Sequence, residues 1–283
     1  VTPVVNTGDD MVLHGLHISP DLDTVTYTLA GAINPETGWG REGETWRVMD
    51  TLEALGGATW FRLGDTDLAT HLYRTQRLAE GARLSEVTME LTRALGVAMV
   101  PIPMSDDRVE TRITVAGEEI GFQDYFVARR HDVAVEAVRF AGADQAAPAP
   151  GVLQAIRDAD VVIICPSNPI VSIGPVLAVP GIEPEIRQRR EHVVAVSPLV
   201  GGKALKGPAD RLMAELGHEP SVVGVARLYQ AVAATLVIDE VDGALASAVE
   251  DAGMRCVVAP TIMRGPSEAA ALARVVLAAG GAR

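Results

Sequence analysis

With 283 residues, 48% of them hydrophobic, the chain can bury the core of one large α/β domain or of a core domain that carries an insertion. A formal net charge of −13 excludes a general nucleic-acid or anionic-membrane surface, so any polyanionic ligand must be met by local basic residues or by a metal. No apolar run reaches the roughly 18 residues of a membrane span, no basic and apolar leader opens the chain, and Cys165 and Cys256, each inside an apolar run, make no disulfide framework; the expectation is a reduced, cytoplasmic protein with two core thiols.

Residues 1–5 read as a buried strand, and the Asn6-Thr7-Gly8-Asp9-Asp10 turn then sets two adjacent carboxylates at its carboxyl end, the usual ligand edge of an open α/β sheet. Ser19-Pro20-Asp21-Leu22-Asp23-Thr24 opens a helix with Ser19 at the N-cap and Pro20 at the first position. Asp21 has a plain explanation there as a first-turn acid, worth ~0.3–1 kcal/mol against the helix dipole. Asp9, Asp10, Asp21 and Asp23 together exceed what capping needs, because like charges converging in a crevice repel unless a cation joins them.

A turn over 31–43 comes next, in which Gly38-Trp39-Gly40 is either a ligand lip or a packed loop, and then a helix over 44–55 stopped by Gly56-Gly57. The next helix runs from 63–71 to Gly81, with Asp65 and Asp67 as capping acids and His71 as a surface histidine; another spans 85–95, capped by Ser85. A strand over 97–102, the polar turn Ser105-Asp106-Asp107-Arg108 and a hairpin of 111–115 with 119–122 complete a middle third that lacks βαβ alternation and reads as an inserted α+β cap. After an Ala, Pro and Gly linker at 141–151 the rhythm becomes α/β: helix 152–158, strands 161–165 and 193–197, helix 208–216, strand 235–238, helix 244–252, strand 255–259, helix 266–279. The expected fold is therefore a Rossmann-like, doubly wound, mainly parallel sheet formed by 1–33 and 146–283, with 34–145 as the inserted cap or substrate domain.

Two strand ends have the composition of phosphate sites. One is Pro166-Ser167-Asn168-Pro169, where Ser167 and Asn168 can contact a nucleotide or cap the next turn of the chain; the other is Gly201-Gly202-Lys203-Ala204-Leu205-Lys206-Gly207. Glycines let backbone N–H groups approach an anion, and Lys203 and Lys206, the only lysines in a chain otherwise served by arginine, put two compact charges in that one loop.

Taken together, these residues resemble the 2-phospho-L-lactate transferase family of coenzyme F-420 biosynthesis, of CofD and FbiA type. The resemblance rests on residues 6–10 and 18–24, on Gly38-Trp39-Gly40 with Glu44-Thr45-Trp46, and on Trp60-Phe61 with 63–71. It continues through Asp106-Asp107-Arg108 with Glu110-Thr111, 166–172 with Gly174, and 197–207, so it covers nearly the whole chain. It implies transfer of a phospholactyl or phosphoenolpyruvyl group from a guanosine diphosphate conjugate to the ribityl hydroxyl of 7,8-didemethyl-8-hydroxy-5-deazariboflavin (Fo), with loss of GMP and a requirement for Mg²⁺, by a homodimer. Carried over, Asp9, Asp10 and Asp23 are the catalytic and metal-binding acids, while Asn6, Ser167, Asn168, Gly201, Gly202, Lys203 and Lys206 hold the nucleotide. Members begin with a strand and a glycine-rich loop ahead of the segment that opens this chain, so the expectation is a functional protein with residues upstream of Val1.

Such chemistry asks for positioning and charge neutralisation more than covalent help. A rival reading is a non-enzymatic nucleotide-sugar-binding regulator of the gluconeogenesis factor type, similar in fold and in its Asp-Asp start. There a Gly/Ser-rich run succeeds the acids, whereas here Met11-Val12-Leu13-His14-Gly15 leads to the Asp21 helix. A dinucleotide-dependent oxidoreductase is disfavoured, because no Gly-x-Gly-x-x-Gly comes after a strand.

Overall fold

A computed structural model of the chain describes residues 1–281. They form two compact units, one of Val1–Val133 with Arg139–Val152, the other of Ala134–Val138 with Leu153 onward. Residues 1–33 thus share a unit with the hundred residues after them, a different division from the 1–33 plus 146–283 grouping that the strand pattern suggests.

In the first unit the elements run β1 (Val4–Val5), β2 (Met11–Leu13), β3 (Leu16–Ile18), α1 (Pro20–Leu29), α2 (Arg47–Ala54), α3 (Asp65–Ala79), α4 (Leu84–Ala94), β4 (Ile102–Pro103), β5 (Glu110–Val115), β6 (Glu118–Gly121) and the larger part of β7 (Ala137–Ala141), whose first two residues count with the second unit. The expected strands 1–5 and 97–102 shrink to a two-residue parallel pair, Val4 with Ile102 and Val5 with Pro103. Pro3, Pro101 and Pro103 carry no N–H for a ladder, which keeps the pairing short. The hairpin of β5 and β6 forms as expected and joins β7 in a three-stranded sheet of order β6-β5-β7.

A second hairpin, β2 with β3, has no clear sequence signal yet matters more. Leu13 pairs with Leu16 across His14-Gly15, whose φ values of 53° and 76° make the two-residue turn that suits a twisted hairpin. One side of the hairpin packs Ile18 against Met49, Leu63 and Leu68, with Met11, Leu13 and Leu16 beside them. Helix α1 starts at Pro20 as expected and buries Leu22 with Val5 and Leu84.

Helix caps differ from the sequence-based assignment. Gly64, not Asp65, is the N-cap of α3; Asp65 instead accepts from Thr45 Oγ1 and from Val48 N–H at 3.2 Å, and the free N–H groups of Thr66 and Asp67 are met by Glu44 from twenty residues upstream, at 2.7 and 2.8 Å. Arg83, not Ser85, is the N-cap of α4, and Ser85 donates through both N–H and Oγ to the Asp106 carboxylate. A distant carboxylate serves a helix end as well as a local hydroxyl does, and spacing cannot reveal it.

The second unit carries α5 (Val152–Asp158), β8 (Val162–Ile164), α6 (Gly174–Ala178), α7 (Ile182–Gln188), β9 (Val193–Val196), β10 (Leu199–Val200), β11 (Lys203–Ala204), α8 (Ala209–Glu215), α9 (Val222–Tyr229), β12 (Thr235–Ile238), α10 (Ala246–Asp251), β13 (Arg255–Val258) and α11 (Pro266–Ala279). Strands β13-β12-β9-β8 form a wholly parallel sheet, the α/β architecture expected from the alternating rhythm. The two inner strands are buried at every position, and α11 closes one face by packing Leu272 and Val276 on Val194, Val196 and Val237. Neither cysteine is a core thiol: Cys165 lies just past the last paired residue of edge strand β8 and is exposed, and Cys256 on the other edge strand is partly exposed. No helix of the described residues is long and apolar enough to cross a membrane.

Helix α9 contains a glycine that the packing requires. A Cβ on Gly224 would sit 1.9 Å from the carbonyl oxygen of Glu219, a backbone atom with no freedom to swing aside. Gly224→Ala should therefore cost stability despite alanine's better helix propensity, by about 1–3 kcal/mol as an overpacked site. Denaturant unfolding of the variant checks this, and a midpoint at or above that of the unaltered protein would refute it.

Candidate active site

The acids of the first unit separate into two clusters because of helical geometry. Asp21 and Asp23 sit two residues apart on α1, about 200° around the helix axis, so they face opposite ways.

Asp21 turns toward the strand-end acids. Asn6 donates to Asp21 Oδ2 at 3.0 Å, and its own Oδ1 accepts the Gly8 N–H at 2.7 Å, so the Asn6 side chain ties helix α1 to the turn. Asp10 N–H closes that turn on Thr7 O at 3.2 Å, and Gly8 O is held by Thr111 N–H at 2.7 Å. Asp9 is buried, and its Oδ1 has no hydrogen-bond partner. Burial, then the neighbouring Asp21 and Asp10 charges, hold the Asp9 carboxyl well above the usual carboxylate range, against the opposing pull of the Thr111 and Asn6 side chains. Burial likewise pushes Asp21 up to about 6, with Asp10 adding to it and Asn6 working against it.

Asp10 is held through one oxygen. Its Oδ2 accepts from Ser19 Oγ at 2.7 Å and lies 3.0 Å from His17 Nε2, while Oδ1 is buried without a partner. The hairpin register explains this: Met11 pairs with Ile18, so Asp10 and Ser19 fall next to each other just beyond the ladder. Ser19 is the N-cap residue by position, but its hydroxyl serves Asp10 and makes no capping bond. A cavity of about 240 Å³ opens beside these groups, lined by Thr7, Asp10 and His17 and by Asp106, Asp107 and Arg108.

Asp23 belongs to the other cluster. Arg74 of α3, fully buried, donates through Nη2 to Asp23 Oδ1 and approaches His71 Nδ1 through Nη1 at 3.2 Å. Since a guanidinium only donates, His71 Nδ1 is the acceptor and its proton is on Nε2, which points to Asp67 Oδ2 at 3.3 Å. Tyr27 OH lies 2.6 Å from Asp67 Oδ1 and 2.8 Å from Thr70 Oγ1. His71 is thus no surface residue, and Asp67 is more than a cap. Asp23, Asp67 and His71 are, among the described residues, the one trio of potential metal ligands whose donor atoms lie within 4.8 Å of one another. Arg74 already supplies the positive charge there.

The residues fit a divalent cation at the other cluster. Asp9, Asp10 and Asp21 offer only carboxylate oxygens, suited to a hard ion such as magnesium, two of those oxygens are buried and unpartnered, and among the described residues no arginine or lysine forms an ion pair with them, His17 being the one basic side chain on Asp10. The structure brings Asp9, Asp10 and Asp21 within electrostatic reach of one another, without three donor atoms inside 4.8 Å, and places Asp23 with Arg74. Helical phase was the sequence signal that could have separated Asp21 from Asp23.

In the second unit the two strand-end loops are held by different means. Asn168 Oδ1 accepts from Ile170 and Val171 N–H at 2.9 and 3.3 Å, so that oxygen caps the turn after β8. Gly201 and Gly202, at φ 60° and 72°, form the turn of the β10–β11 hairpin, and Gly201 N–H is already taken by Asp242 at 2.9 Å. Lys203 is 81% exposed with one partner, Asp210 at 3.1 Å, and Lys206 is exposed on the same loop. Their charges are available to a ligand; the Gly201 amide is not.

The family model for 2-phospho-L-lactate transferase CofD matches residues 1–259. The chain is 47% identical to the phosphoenolpyruvate transferase of Streptomyces griseus, over 98% of this chain and 89% of that one. It is 46% identical to the phosphoenolpyruvate transferase of Streptomyces coelicolor with the same two coverages, and 42% to that of Mycolicibacterium smegmatis over 98% and 87%. Among solved structures, protein BH3568 of Bacillus halodurans superposes with a TM-score of 0.60 at 15% identity, covering 98% of this chain and 91% of that one. A second structure of BH3568, described as a member of the upf0052 family, gives 0.59 at 14% over 98% and 90%. At that identity the likeness concerns the fold alone.

The unpaired acids impose a pH dependence. In metal-free protein the folded state keeps the Asp21 proton up to about 6, whereas the unfolded chain gives it up near 3.8. Across that window the folded state binds more protons, so stability falls as pH rises, and Asp9 acts in the same direction. Asp21→Asn should remove part of this loss, leaving the variant more stable than the parent at pH 8 in chelator and no more stable at pH 4. Equal unfolding midpoints at pH 8 would contradict the assignment.

Proposed function

Starting from the fact that this chain belongs to the 2-phospho-L-lactate transferase CofD family, we propose that it transfers a phosphoenolpyruvyl group from a guanosine diphosphate conjugate to the ribityl hydroxyl of Fo, releasing GMP, in coenzyme F-420 biosynthesis. The 42–47% identity to phosphoenolpyruvate transferases favours enolpyruvyl over lactyl as the transferred group. The observation that carries the chemistry is the pair of buried, unpartnered oxygens, Asp9 Oδ1 and Asp10 Oδ1.

Asp9 and Asp10, with Asp21 beside them, are the proposed holders of Mg²⁺, which when bound would neutralise charge on the donor phosphates. The remaining work belongs to side chains. Asp21, beside that pair and with its proton affinity raised by burial, is the proposed acceptor of the ribityl proton as the oxygen attacks phosphorus and GMP departs. In the second unit, Lys203 keeps donors free beyond its bond to Asp210, and with Lys206, Ser167 and the amide end of Asn168 it is that unit's proposed set of contacts to a guanosine diphosphate.

Incubation with Fo, Mg²⁺ and the enolpyruvyl conjugate of guanosine diphosphate should yield GMP and a product of the corresponding mass, with the lactyl conjugate competing poorly; no GMP from either donor would sink the proposal in favour of a sensor. Asp9→Asn keeps the shape and removes charge, so turnover should fall by about 100-fold or more with the fold intact. Lys203→Ala should weaken GDP binding by about 1.5 kcal/mol, the value of a charge-assisted hydrogen bond, and leave Fo binding alone. Isothermal titration with each ligand separates the two effects.

A further inference from the structure

The two oxygens of Asp10 are not equivalent, and the groups that make them so are held in place from outside the cluster. A carboxylate accepts only, so His17 Nε2 carries its proton toward Oδ2, and Ser19 Oγ donates to the same atom. These two bonds fill Oδ2, while Oδ1 of the same group is buried and bare. His17 is itself clamped by α3: its N–H donates to Thr75 Oγ1 at 2.8 Å, and its carbonyl accepts from Arg74 Nη1 at 3.3 Å. Thr75 Oγ1 in turn donates to His71 O at 2.7 Å. The clamp fixes β3, and the hairpin register presents the imidazole to Asp10.

We infer that His17, with Ser19, is a positioning residue that restricts Asp10 to one-oxygen ligation and thereby biases the divalent site toward Mg²⁺ over Ca²⁺. Mg²⁺ takes single oxygens in tight octahedral order, whereas the larger Ca²⁺ gains from two-oxygen carboxylate ligation and a higher ligand count. An Asp10 whose Oδ2 is locked by two donors has no second oxygen to give without breaking them. Once both locks are removed, Asp10 can turn either oxygen, or both, to the ion. The inference rests on the reading of Asp9 and Asp10 as metal ligands and adds to it a named cause of selectivity.

The test measures binding and needs no turnover. Mg²⁺ and Ca²⁺ affinities are read by calorimetric titration of the full chain, with displacement of Mn²⁺ followed by electron paramagnetic resonance as a second readout. His17→Ala and Ser19→Ala should each shift the ratio of Ca²⁺ to Mg²⁺ affinity toward Ca²⁺, and the double variant should do so by about 10-fold or more, the usual size of losing a group that orients a ligand. His17→Gln, which can offer an amide N–H near the Nε2 position, should restore the parental ratio. If His17→Ala does not fold, His17→Gln against Ser19→Ala gives the same comparison. An unchanged ratio in Ser19→Ala and in whichever histidine-to-alanine variants fold, or a His17→Gln ratio displaced as far as that of Ser19→Ala, overturns the inference while leaving the metal reading intact. No divalent binding by the parent protein overturns both.

Discussion

Buried negative charge is the constraint on which the first unit is organised. A carboxylate removed from water must be neutralised by a proton, a paired cation or an ion, because its desolvation penalty otherwise exceeds what packing returns. The chain places five acids within reach of helix α1 and meets this constraint in two ways. Asp23 and Asp67 receive a permanent internal cation in Arg74, relayed through His71. Asp9, Asp10 and Asp21 receive none; burial first, then their mutual repulsion, raises the proton affinity of Asp9 and Asp21, while at Asp23 the rise from burial is opposed by Arg74 and His71. The first arrangement is neutralised by a fixed internal cation although Asp23 Oδ2, His71 Nε2 and Arg74 Nε stay without a hydrogen bond; the second has no such cation and leaves Asp9 Oδ1 and Asp10 Oδ1 bare.

That contrast gives the two faces of α1 different jobs. The Asp23 face docks on α3 through a network in which Tyr27, Thr70, Asp67, His71 and Arg74 leave little freedom, and the same Arg74 reaches on to the His17 carbonyl. The Asp21 face is tied to the strand-end turn by Asn6 alone. Removing Arg74 would strand a buried Asp23 and release β3 at once, so the closed cluster supports the open one. Without such backing a carboxylate is free to rotate onto a neighbouring donor, and its bare oxygen no longer keeps one direction.

The parallel sheet was legible because its strands are runs of Val and Ile between helices with clean ends: 161–165, 193–197, 235–238 and 255–259 differ from the observed strands by about a residue at each end. Helix α9 was not, since Val222-Val223-Gly224-Val225-Ala226 is a continuous buried apolar run that reads as readily as a strand, with an exposed polar residue only from Arg227 on. The Asp-rich start was legible as a charge cluster, but its membership was not, and neither were the remote acids Glu44 and Asp106 that cap α3 and α4. His71 was misplaced for a related reason. Its spacing to Asp67 also fits a solvated helix face, and only the arrival of α1 and Arg74 makes that face an interior. The partner contributed by a distant segment is the part that a reading of the sequence misses.

The division of labour between arginine and lysine has its origin in the same electrostatics. A cation that must live in the interior has to satisfy several acceptors at fixed angles, which the planar guanidinium of Arg74 does for Asp23, His71 and the His17 carbonyl together. The remaining ion pairs described on this chain also use arginine almost throughout, often as forks to glutamate such as Arg77 with Glu90. Lys203 differs in each respect. It is exposed, it has a single partner in Asp210, and it extends from a hairpin whose turn is fixed by Gly201 and Gly202 and by the bond from Gly201 N–H to Asp242. A rigid turn bearing a flexible, hydrated charge leaves that charge free to reorient, and a fork locked to one carboxylate does not. On that ground the glycines of the loop act through the shape they give it, and its positive charge is placed in the two ammonium groups.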